Sequence, residues 1–383
     1  MKKIIYVSSV RLTNSVLRHY FIDSNIEKGA EVEFWDIVPL VRENYDEKNT
    51  LDVEYLQYID NYKEFKTLIR LPENQDAVYI MLVNYQNKYI KVFRILSNHN
   101  CKMVYTYAGE MPTTKDVLKF QRITSLFLKN PYDFFKTAVS VLRLKFYKIL
   151  NIVKPFEIAF VVGNKSLFSS INAKKVVPIN FFDFNYFKEV EFSKENIVDG
   201  KFILFIDHNA PYHSDNIDDD EEFPDAEKYF KSVNRIIGLI EESQNLKIVI
   251  AASPKAKYGS EKYEGREFYQ LMTPALVKHA EYIIMPYASL AVSYVVLNYK
   301  PVLFIYNNEL MRVWPFSVEE QQNLATYLNL EVYNSDLITH GKQLIFKPPS
   351  MDRYDLYKYN FLTSYESENE LSSEIFWEEI NKL

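Results

Sequence analysis

The sequence is poor in cysteine and glycine. Its 383 residues include one cysteine, Cys101, and 8 glycines. A single cysteine excludes an intrachain disulfide framework and a zinc site built on cysteine ligands. The glycines form neither the G-x-G-x-x-G fingerprint of a dinucleotide site nor the glycine-rich loop of a P-loop NTPase. Neither of these nucleotide-binding classes is therefore expected.

Long apolar runs and an excess of positive charge are also missing. No run of 18 apolar residues occurs, so we predict no membrane-spanning helix. The first fifteen residues have a shorter apolar region than a secretion signal, and we expect none. The formal net charge of −6 argues against nucleic-acid binding by the whole chain. These absences predict a cytoplasmic protein.

The chain is otherwise typical of a globular protein with two domains. Hydrophobic residues make up 48% and charged residues 25%, which excludes extensive disorder. The length is enough for two domains of roughly 100–200 residues each.

Short apolar runs without strict alternation predict buried parallel strands in both halves. In the second half these runs are residues 201–206, 248–252, 282–285 and 302–306. A helix is predicted over 289–298, with Ser289 as its cap. The first half opens with strand 3–8, helix 14–28 and strand 31–36. This order predicts two Rossmann-like halves.

Two small turns follow strands of the second half. They read Ser253-Pro254-Lys255 and Tyr287-Ala288-Ser289. In open α/β sheets, ligands bind just beyond the carboxyl ends of the strands, and backbone N–H groups at a helix start suit phosphate. The alternative is that both are ordinary strand-to-helix turns, since serine is a common cap.

Two further stretches carry candidate catalytic residues. Glu110 follows a predicted strand and Gly109, so it could act as a general base at the carboxyl end of that strand. The second stretch, 207–215, contains Asp207 and His213 and follows strand 201–206. A metal site there is an alternative that we disfavour, because no second cluster with ligand spacing occurs; a polar loop that contacts a substrate is preferred.

Residues 117–155 are strongly basic and amphipathic. Eight basic residues oppose one acid, Asp133, and large apolar side chains are interleaved with them. Such helices lie in the interface of anionic membranes. The alternative is a pair of surface helices whose lysines are simply solvated. We favour contact with the inner face of the cell membrane.

The second half resembles the nucleotide-sugar domain of GT-B glycosyltransferases of bacterial surface carbohydrates. The residues that carry this resemblance are FIDHNAPYHSD (205–215), IVIAASPKAKY (248–258) and YASLAVSYVVLNYKPVLFI (287–305). Relatives have a strand ending in His-Pro-Lys and a later His-Ser-Ser-like turn, where this chain has Ser253 and Tyr287. The resemblance implies that the donor phosphate is bound by Ser253, Pro254, Lys255, Tyr287, Ser289 and Ser293. It extends to enzymes that use CMP-activated nonulosonic acids, which often need no metal.

The resemblance completes the prediction. We expect an α/β, GT-B-like fold in which two parallel sheets face a cleft. Residues 1–190 are predicted to bind the acceptor and residues 191–347 the donor. Residues 348–383 are predicted to form a helical tail that packs on the first domain. The enzyme would move a sugar, without metal or cofactor, from a CMP donor to a lipid-linked or surface glycan. The alternatives are a UDP-sugar transferase, a sugar 2-epimerase of the same architecture, or an inactive scaffold of a polysaccharide assembly complex.

Overall fold

The computed structural model describes residues 1–41, 51–106, 109, 111–112, 131–150, 152–164, 172–191, 197–212 and 222–383. They fall into two compact units. The first consists of Met1–Gly109, Lys115–Phe182 and Thr363–Leu383, and the second consists of Glu110–Thr114 and Asp183–Leu362.

Each unit contains one parallel sheet. The strands of the first are β1 (Lys3–Ser8), β2 (Glu31–Asp36), β3 (Leu56–Tyr58), β4 (Val78–Leu82), β5 (Lys102–Thr106), β6 (Phe156–Val162) and β7 (Ala173–Ile179). Those of the second are β8 (Phe202–Ile206), β9 (Lys247–Ala252), β10 (Phe268–Gln270), β11 (Tyr282–Met285), β12 (Val302–Tyr306) and β13 (Val332–Asn334). The orders are β3-β2-β1-β4-β5-β6-β7 and β10-β9-β8-β11-β12-β13.

Helices connect these strands. Those of the first half are α1 (Asn14–His19), α2 (Ile22–Glu27), α3 (Tyr62–Ile69), α4 (Pro72–Gln75), α5 (Ile90–Asn98) and α6 (Pro131–Ile149). The later ones are α7 (Phe182–Glu191), α8 (Ala226–Gln244), α9 (Thr273–His279), α10 (Val292–Leu297), α11 (Asn308–Val313), α12 (Pro315–Tyr327), α13 (Met351–Tyr357) and α14 (Ser372–Asn381). Among the described helices, none is both long and apolar enough to cross a membrane.

The central strands explain why the apolar runs of the sequence are continuous. Every residue of β4 and β8 is buried, because helices cover both faces of each sheet. Burial of a large aliphatic or aromatic side chain stabilises the fold by about 1.5–3 kcal/mol. The strands predicted at 3–8, 31–36, 282–285 and 302–306 have those bounds in the structure.

The chain returns to the first unit later than we predicted. We predicted a boundary at residue 190 and a tail from 348, whereas α13 and the π-helix Lys358–Leu362 belong to the second unit and only Thr363–Leu383 to the first. The side chains of α13 explain this position. The hydroxyl of Tyr354 donates to the carbonyl oxygen of Lys300 at 3.0 Å, and that of Tyr299 donates to Asp355.

Asn180, just after β7, fixes the returning segment to the first unit. Its side-chain amide donates to the carbonyl oxygens of Ser367 at 3.0 Å and Glu370 at 2.8 Å. Its Oδ1 accepts from Thr363 Oγ1 at 2.6 Å. Since Asn180 is 2% exposed, these bonds are shielded from water.

Asp183 is a buried acid of the second unit. The hydroxyl of Tyr294 donates to its Oδ1 at 2.7 Å. Burial raises the pKa of Asp183 from 3.8 to about 7, against the opposing effect of the hydroxyl donors. The folded state therefore holds a proton on this group at pH values where the unfolded chain has lost it.

This shift predicts a pH dependence of stability. A raised acid pKa contributes stability that is present below the unfolded pKa and is lost as pH rises through about 7, on the order of 4 kcal/mol in all. Asp183→Asn should flatten the decline in unfolding free energy between about pH 4 and pH 7, measured by urea titration. Asp352→Asn, at an exposed position of α13, is the control. An unchanged slope in Asp183→Asn would contradict the assignment.

Candidate functional site

The order of the second sheet locates its ligand crevice. From β8 the chain passes to β9 and β10 on one side, and then returns to β11 on the other. In such sheets the ligand crevice lies beyond the carboxyl ends of the two strands where the direction reverses, here β8 and β11. The residues that follow these strands are Asp207-His208-Asn209 and Pro286-Tyr287.

Asp207 is the centre of a hydrogen-bond network beyond β8 and β9. It is 4% exposed. Its Oδ1 accepts from the hydroxyl of Tyr263 at 2.8 Å and the backbone N–H of Asn209 at 3.0 Å. Its Oδ2 accepts from the hydroxyl of Tyr258 at 2.8 Å and the backbone N–H of Ser253 at 3.4 Å. We call this set the Asp207 network.

The tyrosines of this network remain protonated donors. Burial, and then the charge of Asp207, raise the pKa of Tyr258 and Tyr263 far above the usual value. The same two causes raise the pKa of Tyr229, whose buried hydroxyl has no hydrogen-bond partner among the residues that the structure describes. Four donors on one carboxylate compensate for its removal from water.

His208 contacts the turn on the other side of β8. Its ring stacks on that of Tyr287, with centroids 3.9 Å apart and an interplanar angle of 11°. The hydroxyl of Tyr287 donates to Ser317 Oγ at 2.7 Å, which fixes the ring. Loop 207–209 therefore contacts both turns that the sequence singled out, one through Ser253 and the other through Tyr287.

The turn at Ser253 differs from the predicted phosphate cradle. Its backbone donors are already used: the N–H of Ser253 bonds Asp207, that of Lys255 bonds Ser253 Oγ at 3.3 Å, and that of Ala256 bonds the carbonyl oxygen of Ser253 at 3.0 Å. Pro254 has no N–H. Gln270 Nε2 donates to three carbonyl oxygens of this turn at 3.0–3.2 Å. What the turn can offer an anion is the side chains of Ser253 and the exposed Lys255.

The turn at Ser289 is the more open one. Ser289 does not cap the helix as predicted, because α10 begins at Val292 and Ser289 Oγ accepts from the N–H of Ala291 at 3.1 Å instead. In the described chain, the backbone N–H groups of Ser289 and Leu290 have no acceptor. A serine hydroxyl that accepts one bond still has its proton to donate. This turn can therefore supply three donors to an anion.

Ser293 lies apart from these donors. It is fully buried in α10, and its hydroxyl lies beside the carboxyl of Asp183 and the hydroxyl of Tyr357. The predicted contact of Ser293 with a phosphate stays a prediction, and this burial argues against it.

Glu110 and His213 lie outside the described residues, and their roles stay predictions. Among the residues that the structure does describe, no group of three or more His, Cys, Asp or Glu side chains could hold a metal ion.

Sequence reasoning missed His208, Gln270 and the two tyrosines of the Asp207 network. His208 had a usable signal, since it follows β8 by two residues. Tyr258 and Tyr263 had none. They lie 51 and 56 positions from Asp207 in the sequence, and only the pairing of β8 with β9 brings them to its carboxylate.

The Asp207 network makes a stability prediction. Asp207→Ala leaves the hydroxyls of Tyr258 and Tyr263 without an acceptor, and each lost bond to a charged group costs about 1.5–3 kcal/mol. We expect the unfolding free energy of the second unit to fall by about 3–5 kcal/mol in urea titrations. Tyr258→Phe should lose less, and the exposed Asp199→Ala should lose nothing. Full stability of Asp207→Ala would show that the carboxylate does not support the fold.

Comparisons with known proteins give the fold. No protein-family model matches the sequence, and no curated protein sequence matches it. Among solved structures, the chain is similar to the spinosyn forosaminyltransferase SpnP, with TM-score 0.50, 10% identity, and coverage of 100% of this chain and 98% of that one. It is also similar to CalG4, the calicheamicin glycosyltransferase, with TM-score 0.51, 9% identity, and coverage of 94% and 93%.

These similarities extend over nearly the whole chain and include both sheets. Identities of 9–10% are evidence about architecture and not about substrates. Together with the seven-stranded and six-stranded parallel sheets, they confirm the predicted fold class. The chain has the GT-B fold.

Proposed function

We propose that this protein is a glycosyltransferase that uses a nucleotide-sugar donor. The observation that carries the proposal is the arrangement beyond β8 and β11, where one loop contacts two turns and the turn at Ser289 has donors without an acceptor in the part of the chain that the structure describes. This is the position at which open α/β sheets bind ligands. The GT-B fold supports the assignment by analogy, since SpnP and CalG4 are both glycosyltransferases.

The donor phosphate is proposed to bind at the turn of Ser289, with Lys255 supplying positive charge from the neighbouring turn. Backbone N–H groups and a lysine suit the charge that develops as a nucleotide leaves. The resemblance of residues 205–305 to transferases of CMP-activated nonulosonic acids makes CMP the proposed nucleotide. Such a donor sugar carries a carboxylate, for which Lys255 is a suitable partner.

The proposed reaction is a displacement at the anomeric carbon of the donor. An acceptor hydroxyl oxygen forms a bond to that carbon while the bond from the carbon to the phosphate oxygen breaks and the nucleotide leaves with the electron pair. Glu110 is the proposed base that takes the hydroxyl proton. Asp207 is proposed to act by holding loop 207–209 and the Ser253 turn in place, and His213 to assist at the leaving phosphate. The acceptor is proposed to be a lipid-linked or surface glycan.

A membrane-facing role for residues 117–155 is part of the proposal. In α6, Phe135, Val139, Leu142, Phe146 and Ile149 are each more than half exposed, and their spacing of four and three residues puts them on one side of the helix. We call these five residues the α6 stripe.

Charge around the α6 stripe favours an anionic membrane as its partner. Residues 134–150 contain four basic side chains and no acid. Each Lys or Arg near an anionic surface contributes about 1 kcal/mol to binding. These features support attachment to the inner face of the cell membrane.

The proposed function predicts that the protein binds a nucleotide, and that a variant can lose sugar transfer while it still binds the nucleotide. CMP should stabilise the protein in thermal unfolding, by about 2.7 kcal/mol at 100 times its Kd. Glu110→Gln should retain this stabilisation and lose sugar transfer, because the base acts on the acceptor and not on the nucleotide.

The nucleotide panel also separates the alternatives. UDP, GDP and CDP serve as controls in the same assay. A response to UDP alone would replace CMP by a UDP-sugar donor and direct activity assays to transfer or 2-epimerisation. No response to any nucleotide would contradict the proposed function and leave an inactive scaffold. Full transfer activity in Glu110→Gln would remove Glu110 from the mechanism.

The α6 stripe predicts binding to lipid. The protein should sediment with vesicles that contain phosphatidylglycerol more than with vesicles of phosphatidylcholine alone. Replacing Leu142 and Phe146 by Gln should weaken this binding at least tenfold, since each buried side chain contributes about 1.5–3 kcal/mol. Leu271→Gln, at an exposed apolar residue of the second unit, is the matched control. Equal binding of all three proteins would contradict the role of the stripe.

A further inference from the structure

Gln321 is a buried polar side chain at the ligand edge of the second sheet. It lies on α12 and is 1% exposed. Its Nε2 donates to the carbonyl oxygen of Met285 at 3.0 Å and to that of Ile305 at 3.0 Å. Met285 is the last residue of β11, and Ile305 is the last but one of β12. One side chain therefore joins the carboxyl ends of two neighbouring strands.

The amide of Gln321 suits this position because an amide nitrogen has two protons. Each proton can bond one of the two carbonyl oxygens, which are acceptors only. The opposite orientation of the amide would bring its own oxygen against both carbonyl oxygens, so these contacts fix which way the side chain points. An apolar side chain of similar length would leave both carbonyl oxygens without this donor.

The same side of α12 also contacts the turn that follows β11. Ser317, one helical turn before Gln321, accepts a hydrogen bond from the hydroxyl of Tyr287 at 2.7 Å. Trp314, the residue before the helix, packs edge to face against the ring of Tyr287, with centroids 6.2 Å apart. Residues three and four positions apart lie on one face of a helix. This face of α12 therefore holds the chain at the last residue of β11 and again two residues later.

The open donors of the Ser289 turn lie between two fixed points. Before them, the chain is held by α12. After them, the N–H groups of Val292 and Ser293 donate to the carbonyl oxygens of Ser289 at 3.1 Å and Leu290 at 2.9 Å. Among the residues that the structure describes, the N–H groups of Ser289 and Leu290 have no acceptor. Because the span between the fixed points is short, a shift at the end of β11 would move both of these N–H groups.

We infer that Gln321 is a positioning residue for the proposed donor site, and that it holds the end of β11 so that the N–H groups of Ser289 and Leu290 meet one anion. The inference rests on the proposed function, which puts the donor phosphate at this turn. Since Gln321 is 1% exposed, it acts on the phosphate through the backbone that follows β11 and not by touching it. Backbone donors stabilise developing negative charge best when their directions are fixed in advance.

Two ligands that differ only in the phosphate test this inference. Ligand-observed NMR titrations of the full-length protein give the Kd values of CMP and cytidine, and their ratio isolates the contribution of the phosphate. In the wild type, CMP should bind on the order of a hundredfold more tightly than cytidine, because charged hydrogen bonds hold the phosphate. If the nucleotide panel selects UDP, the pair is UDP and uridine.

Substitution of Gln321 should act on this ratio alone. Gln321→Met keeps the length of the side chain and removes both donors. It should reduce the ratio about tenfold and leave the Kd of cytidine unchanged, since two hydrogen bonds that fix the turn are lost. Gln322→Met, the same change at the neighbouring exposed position, should leave both affinities at their wild-type values.

A second variant covers the case in which Gln321→Met does not fold. Ser317→Ala, at a half-buried position, removes only the bond to Tyr287 and should reduce the ratio about threefold. Urea unfolding of both variants is measured in parallel. A merely structural role would lower the free energy of unfolding but leave the ratio of the folded protein at its wild-type value.

The outcomes separate this inference from the proposed function. A folded Gln321→Met with an unchanged ratio overturns the inference alone, and where that variant does not fold, an unchanged ratio in Ser317→Ala does so. An equal loss in Gln322→Met also overturns it, because the effect would then not depend on the two carbonyl bonds. A wild-type protein that binds no nucleotide, or binds it no more tightly than the nucleoside, overturns the proposed donor site itself.

Discussion

The site in the second unit depends on the burial of one carboxylate. Asp207 lies at 4% exposure directly after β8, and four donors converge on its two oxygens. Two of them are backbone N–H groups, so the carboxylate fixes the path of loop 207–209 and the start of the Ser253 turn. The other two are phenols that burial keeps protonated. A buried carboxylate is tolerated only when its lone pairs accept hydrogen bonds. Loss of one donor would therefore destabilise the whole arrangement around Asp207.

The turns at Ser253 and Ser289 differ in which of their backbone donors already have an acceptor. The backbone donors of the Ser253 turn bond acceptors within the Asp207 network, and its carbonyl oxygens accept from Gln270. These bonds fix the backbone from which the side chain of Lys255 extends. In the Ser289 turn, two N–H groups have no acceptor among the described residues. His208, stacked on Tyr287, joins the second turn to the same loop. Preorganised donors need no reorganisation as negative charge develops, which suits the proposed departure of a nucleotide.

The first unit depends on contacts with the end of the chain. Asn180 binds the returning segment from Thr363 to Ser372. The returning chain therefore stabilises the unit that it rejoins.

The apolar runs of the sequence were enough to predict the two parallel α/β halves and the positions of most strands, because strands buried on both faces require continuous apolar runs. It also pointed to Asp207 and to the turns at Ser253 and Ser289, since polar residues after buried strands occupy the ligand edge of a sheet. The three-dimensional fold was needed to show which backbone donors already have an acceptor and which have none among the described residues. The two tyrosines that donate to Asp207 lie 51 and 56 residues away in the sequence. Local sequence patterns indicate which face of a helix or strand is buried. The hydrogen-bond partner of each polar group depends instead on the pairing of strands that are distant in the sequence.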